Sequence, residues 1–226
     1  MVSQAERRSS TRAKLLDAAV ACLVESGYRE LTTTAVVKRA GLSQGALFRY
    51  YPSKLELVIA TVEHVFAQLR DQYGARFAAA GHGDADADAD GVTTLRLGLD
   101  LLVEAMTDPR YLAVLELYTA SRTDPDLRAG LAPVSSAHND LLWQLVHSLP
   151  LDLPPRLAGD LGDLLVLATL ALQGAAVQRM VNPRGTSTQD ATDTLLRLFV
   201  GHGDKEREPS AAAVHRSAIA PAPEAR

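Results

Sequence analysis

Ser43 lies in Gly41-Leu42-Ser43-Gln44-Gly45, a G-x-S-x-G pattern. In serine hydrolases this is the nucleophile elbow, which needs a strand before the serine and a helix after it. The residues before it here, TAVVKRA, carry helical spacing and a Lys-Arg pair instead. Asp86, Asp88, Asp90 and Gly91 match the opening of an EF-hand loop, but Leu97 stands where the closing glutamate must be. The single cysteine, Cys22, excludes an intrachain disulfide and a multi-cysteine zinc site. No group of His, Cys and carboxylate has metal-site spacing, and no phosphate loop is present. No catalytic residue, metal or cofactor is therefore expected. The residues around Ser43 suit recognition instead. Gln44 can pair bidentately with adenine, and Arg49 can reach guanine or phosphate. Gly45 lets the backbone approach an anion at a helix N-terminus. Tyr50 and Tyr51 bring hydroxyls, and Lys54 a point charge.

These residues need two short helices and a tight turn. Thr32 and Thr33 are good N-caps. Thr33, Val36, Val37 and Ala40 fall at i, i+3, i+4 and i+7, one face of a helix. Gly41 suits a left-handed stop, and apolar Leu42 fills the corner. Ser43 caps a second helix from Gln44 to about Tyr50, anchored inward by Leu47. Pro52 stops that helix and Ser53 caps the next. The pattern is a helix-turn-helix with Gln44–Tyr50 in the reader's position.

The stretch resembles the DNA-binding domain of the tetracycline-repressor family of bacterial transcriptional regulators. Its A-G-V-S-x-G-x-L-Y-x-Y/H-F-x-S/N-K pattern appears as Ala40-Gly41-Leu42-Ser43, Gly45, Leu47-Phe48, Tyr50-Tyr51 and Ser53-Lys54, with Thr33 upstream. Phe48 stands where the family usually has Tyr, and Tyr51 where it usually has Phe. Phe48 can meet a thymine methyl but cannot bond a phosphate. The resemblance implies a phosphate contact for Lys54, DNA-binding roles for Thr33 and Ser43, a homodimer, and a regulatory body that takes a small molecule.

Charge agrees with a DNA-binding head. Residues 1–56 hold nine basic and five acidic residues, net +4, against fourteen and twenty-two in the remainder, net −8. With 47% hydrophobic and 22% charged residues the chain is ordinary for a globular protein. No signal peptide is visible after the N-terminal charges, no apolar run is read as long enough to span a bilayer, and a cytoplasmic location is expected.

The pattern predicts an all-α fold of about nine helices: a three-helix head at 1–56, a helical regulatory and dimerisation body at 57–202, and a disordered tail at 203–226. Residues 1–8 read as a loose basic arm and Ser9–Ser26 as the first helix, ended by Gly27. A long helix follows from Ser53 to roughly Ala80, then an acidic linker at 81–91. Helices are read from 92, from Asp108-Pro109 to Arg122, from Pro125 to Leu149, over 156–181 and over 188–202, with 150–155 a loop and 182–187 a turn. The helix over 156–181 is apolar all round. Leu164, Leu167 and Ala171, joined by Leu195, Leu198 and Phe199, are assigned to a face that meets a second subunit. Pockets are mostly apolar with few polar groups. Met106, Tyr111, Glu116, Tyr118, Arg122, His138, Trp143 and Gln173 are the candidate lining. The chain is thus read as a repressor that binds a palindromic operator as a homodimer and is released by a small-molecule effector.

Overall fold

The computed structural model describes residues 3–82, 91–147, 161–182 and 188–200. Among these there are nine helices and no strand: α1 (Gln4–Glu30), α2 (Thr33–Ala40), α3 (Gln44–Tyr50), α4 (Lys54–His82), α5 (Gly91–Thr107), α6 (Pro109–Ala120), α7 (Pro125–His147), α8 (Leu161–Val181) and α9 (Thr188–Val200). The acidic segment 83–90, the loop at 150–155 with the expected helix start at 156, most of the turn at 182–187, and the tail at 203–226 fall outside the described residues.

The N-terminus departs from the loose arm expected at 1–8. Ser3 and Glu6 form a reciprocal capping box: the Glu6 N–H donates to Ser3 Oγ (3.2 Å) and the Ser3 N–H to Glu6 Oε2 (2.6 Å). The S-x-x-E spacing satisfies two N–H groups there, so α1 starts at Gln4 and not at Ser9. Its buried stripe is Leu15, Leu16, Ala19 and Leu23. At Gly27 the backbone leaves the helix (φ 74, ψ 175), and a short helical end carries the chain to buried Leu31.

The long α4 organises the rest. Ser53 Oγ accepts from the Glu56 N–H (3.1 Å) at its start. Leu57, Val58, Val62, Val65, Phe66 and Leu69 are buried along it, where it meets α1, α5, α6 and α7. Asp17 on α1 accepts from the His64 ring, 2.8 Å away. Asp108 caps α6 through the Arg110 N–H (2.8 Å), and the Arg110 side chain reaches back to Gln72 on α4 (2.6 Å). Pro109 at the first helical position gives up no needed donor. One contiguous apolar core runs from Leu15 in α1 to Leu196 in α9.

α8 corrects the reading that no run could span a bilayer. By length and composition Gly162–Val181 would suffice to cross a membrane. Ala168, Leu172 and Ala176 on one side of it are buried where α8 packs on α5 and α9.

Candidate nucleic-acid interface and effector cavity

The turn between α2 and α3 is built by three local rules. Thr32 Oγ1 accepts from the Ala35 N–H (3.1 Å), so the cap of α2 is Thr32, and Thr33 is its half-buried first residue. Gly41 takes the left-handed conformation (φ 66, ψ 35) that ends α2. Ser43 Oγ then accepts from the Ala46 N–H (3.1 Å) and caps α3. Leu47 and Val36, both fully buried, hold the two helices in one core, with α2 packed on α1 and α3 on α2. A bidentate Arg39–Glu25 pair (2.6 and 2.7 Å) clamps α2 to α1 from outside.

This leaves one side of α3 open. Gly45, Phe48 and Arg49 are exposed there. Gln44 is turned back: its Nε2 donates to Thr34 Oγ1 (3.0 Å), and its Oε1 is shut from solvent without a partner. Reading an adenine with both amide atoms therefore requires that side chain to rotate, which would relieve an orphaned acceptor. Thr34, exposed at the start of α2, was not singled out from the sequence. Tyr50 is half-buried against the core. Tyr51 corrects its assignment to the DNA surface: it is only 5% exposed, and its hydroxyl accepts from Arg12 Nε (3.2 Å). It ties α1 to the end of α3 and is a core residue. Lys54 is half-buried, with its ammonium 4.8 Å from the centre of the Tyr28 ring.

A second feature lies among α4, α5, α6, α7 and α8. There the helices enclose a partly open cavity of about 380 Å3. Met106, Tyr111, Tyr118, His138, Trp143 and Gln173 all line it. Glu116 and Arg122 do not, and both assignments are corrected. On α6, Glu116 lies away from the Tyr111 and Tyr118 side, and its Oε1 accepts from the Tyr28 N–H (2.9 Å) beside Gly27. Arg122 comes after α6 has ended at Ala120, and it is exposed. The sequence reading missed Arg70, Tyr73, Ser135 and Asn139, which also line the cavity. His138 stacks flat on Phe66, ring centres 3.8 Å apart. Burial, and then the Arg70 charge, push its pKa down to about 4. Burial likewise raises the Tyr111 hydroxyl to about 12, with Tyr118 adding to it.

Residues 15–61, from mid-α1 into α4, match the family model described as bacterial regulatory proteins, tetR family. Those residues carry the tetR-family DNA-binding domain. The chain is 34% identical over 129 residues to the HTH-type transcriptional regulator CymR of Pseudomonas putida, covering 57% of this chain and 60% of that regulator. The chain therefore matches less than two thirds of CymR's length. An uncharacterized HTH-type transcriptional regulator of Mycobacterium tuberculosis is 28% identical over 199 residues, covering 87% of this chain and 96% of the relative. A transcriptional regulator from Saccharomonospora viridis, solved in complex with choline, shares the fold: TM-score 0.59 at 18% identity, over 88% of this chain and all of that one.

Within the tetR pattern the Phe48 and Tyr51 departures have separate outcomes. Phe48 is an apolar side chain on the open side of α3, 46% exposed. Tyr51 keeps the buried place of the usual Phe and uses its extra hydroxyl on Arg12. The G-x-S-x-G reading has no support in this geometry. The element before Ser43 is helix α2, and the Ser43 hydroxyl already serves as a cap.

The outward side of α8 is apolar as well. Leu167, Val177, Met180 and Val181 are exposed along it, and Leu198 on α9 is 70% exposed; Val166 and Leu170 are exposed too but line the cavity. Ala171 is also exposed. Two residues assigned to a subunit interface sit differently. Leu195 is corrected: at 5% exposure it belongs to this subunit's own core, because α9 packs that side on α5 and α8. Leu164 is half-buried against the same core. The Phe199 side chain falls outside the described residues.

Proposed function

We propose that this chain is a tetR-family, homodimeric, DNA-binding transcriptional repressor of the cytoplasm. Residues 1–56 form the head, and 57–202 form the regulatory and dimerisation body. The observation that carries the reading is the open side of α3, where Gly45, Phe48 and Arg49 face outward from a capped, glycine-turned helix pair. Such a helix enters the major groove, and two heads related by a two-fold axis require a palindromic operator. The dimer is supported by the unpartnered apolar side of α8, continued by Leu198 on α9. A patch of this kind marks an interaction surface. The cavity supports release by a small molecule. A ligand acts only through its different affinity for the DNA-bound and free states.

Titration of operator and scrambled DNA at several salt concentrations tests the head. Lys54→Ala removes a phosphate contact, so it weakens both DNAs alike and flattens the salt dependence by about one unit per subunit. Gln44→Ala relaxes preference at one symmetric pair of positions, worth about 1–3 kcal/mol per base pair, and leaves the salt slope unchanged. If neither variant alters binding, α3 is not the reader.

A further inference from the structure

The cavity's charge inventory points to the chemistry of its ligand, an inference that rests on the effector reading above. Among the described residues Arg70 is the one formally charged residue lining it, and no described aspartate or glutamate does. Some arginines of the described structure meet carboxylates, as Arg39 meets Glu25 and Arg110 meets Asp108. Among the described residues Arg70 has no such partner, although it is half-buried. It lies at the seam between the main cavity and a smaller one on the far side of α4 and α7. His138 stands on the same seam, and its Nδ1 is shut from solvent with no hydrogen-bond partner. A buried polar atom left unpaired is costly, and a guanidinium is built to grip a carboxylate with two parallel bonds. The remaining wall is mostly apolar, with Leu99, Leu102, Met106 and Leu142 among it.

We propose that the cavity binds a small apolar monocarboxylate, its tail among the leucines of α5 and its carboxylate held by Arg70 with the His138 Nδ1–H as second donor. The imidazole is held neutral by burial and by the Arg70 charge, so it can present one N–H without adding a second cation. In the described lining of the main cavity a ligand cation would find no carboxylate and would face Arg70 directly; Glu63 lines only the smaller cavity. About 380 Å3 lies at the small end of ligand pockets, which favours a single ring or a medium chain over a large conjugate.

The chain's one tryptophan, Trp143, lines the cavity and reports occupancy by its fluorescence. Octanoate, octanol and octylamine carry the same tail with a negative, neutral and positive head. Titration of the full-length protein is expected to give octanoate a Kd roughly ten- to a hundredfold below octanol, the range for a hydrogen bond to a charged group. Octylamine is expected to bind weakest. Arg70→Gln should erase the preference for octanoate over octanol, while Arg70→Lys keeps part of it. Far-UV circular dichroism checks that each variant is folded. If Arg70→Gln does not fold, the wild-type ranking and the Arg70→Lys variant decide alone. Equal affinities, a preference for octylamine, or binding of none of the three overturns the proposal. So does an octanoate preference that survives Arg70→Gln. Salt-dependent DNA binding measured in parallel is untouched by those outcomes, so failure here is distinct from failure of the DNA-binding reading.

Discussion

The corner at Gly27 joins the head to the body, and a single methyl group there tests how. Gly27 has φ 74 and ψ 175, a conformation close to glycine-only, and any other residue there is strained by about 1–3 kcal/mol. A methyl at that position would also lie 3.1 Å from both carboxylate oxygens of Glu116. Glu116 must then move, loosening its bond to the Tyr28 N–H, which adds roughly 0.5–1.5 kcal/mol. Gly27→Ala is therefore expected to cost about 2–4 kcal/mol, a fall in Tm of roughly 4–16 °C for a chain of this size. Gly41→Ala is the control. It has a similar left-handed φ of 66 but open space around it, so it carries strain alone, about 1–2 kcal/mol. Thermal melts followed by circular dichroism compare them. The double variant Gly27→Ala with Glu116→Ala should lose less than the sum of the single losses, because the clash and the bond share one carboxylate. A Tm for Gly27→Ala no lower than that of Gly41→Ala, or strict additivity in the double variant, would refute the reasoning.

Other outcomes follow from the same contacts. His138 has a folded pKa near 4 against an ordinary value of 6.5. The folded state thus binds fewer protons, and stability falls as pH drops below about 6.5, by about 2 kcal/mol between pH 7 and pH 5. A His138→Phe variant, which keeps an aromatic ring for the stack on Phe66, should melt with a smaller difference between the two pH values. Leu167→Glu puts a charge on the outward side of α8, at a position that does not line the cavity, which is costly in a dry interface. Sedimentation should show monomers, and a dimer of unchanged affinity would remove this side of α8 from the interface. Gly130→Ala would place its methyl 2.2 Å from Ile59, and urea unfolding should show a loss of about 1–3 kcal/mol from overpacking between α4 and α7.

The reader was legible because its rules are local. Thr32, Gly41 and Ser43 each act within a few residues, so caps and the left-handed stop could be placed without knowing any distant neighbour. The long helices were legible for the same reason, while the start of α1 was missed although its S-x-x-E box is local too. What was not legible depends on which side of a helix meets which partner. Tyr111, Tyr118 and His138 could be placed near a cavity because aromatic and polar groups on an apolar stripe stand out. Arg70 could not, because on α4 alone it reads as a solvated charge, and only the approach of α5 and α7 makes it part of a wall. Glu116 was misplaced since it is close to Tyr118 in sequence, but two residues along a helix is more than half a turn away. Leu195 and Leu198 differ in the same way: one α9 residue is taken by α5 and α8, and the other is left outside.

The central claim is that α3 reads DNA as one of a symmetric pair. Selecting bound sequences from random duplex DNA with the full-length protein tests this most directly. The expected result is enrichment of an inverted repeat whose half-sites lie one helical turn, or a multiple of it, apart. The enrichment should weaken steeply with added salt. Enrichment of a single asymmetric site, or no enrichment at any salt concentration, would contradict it.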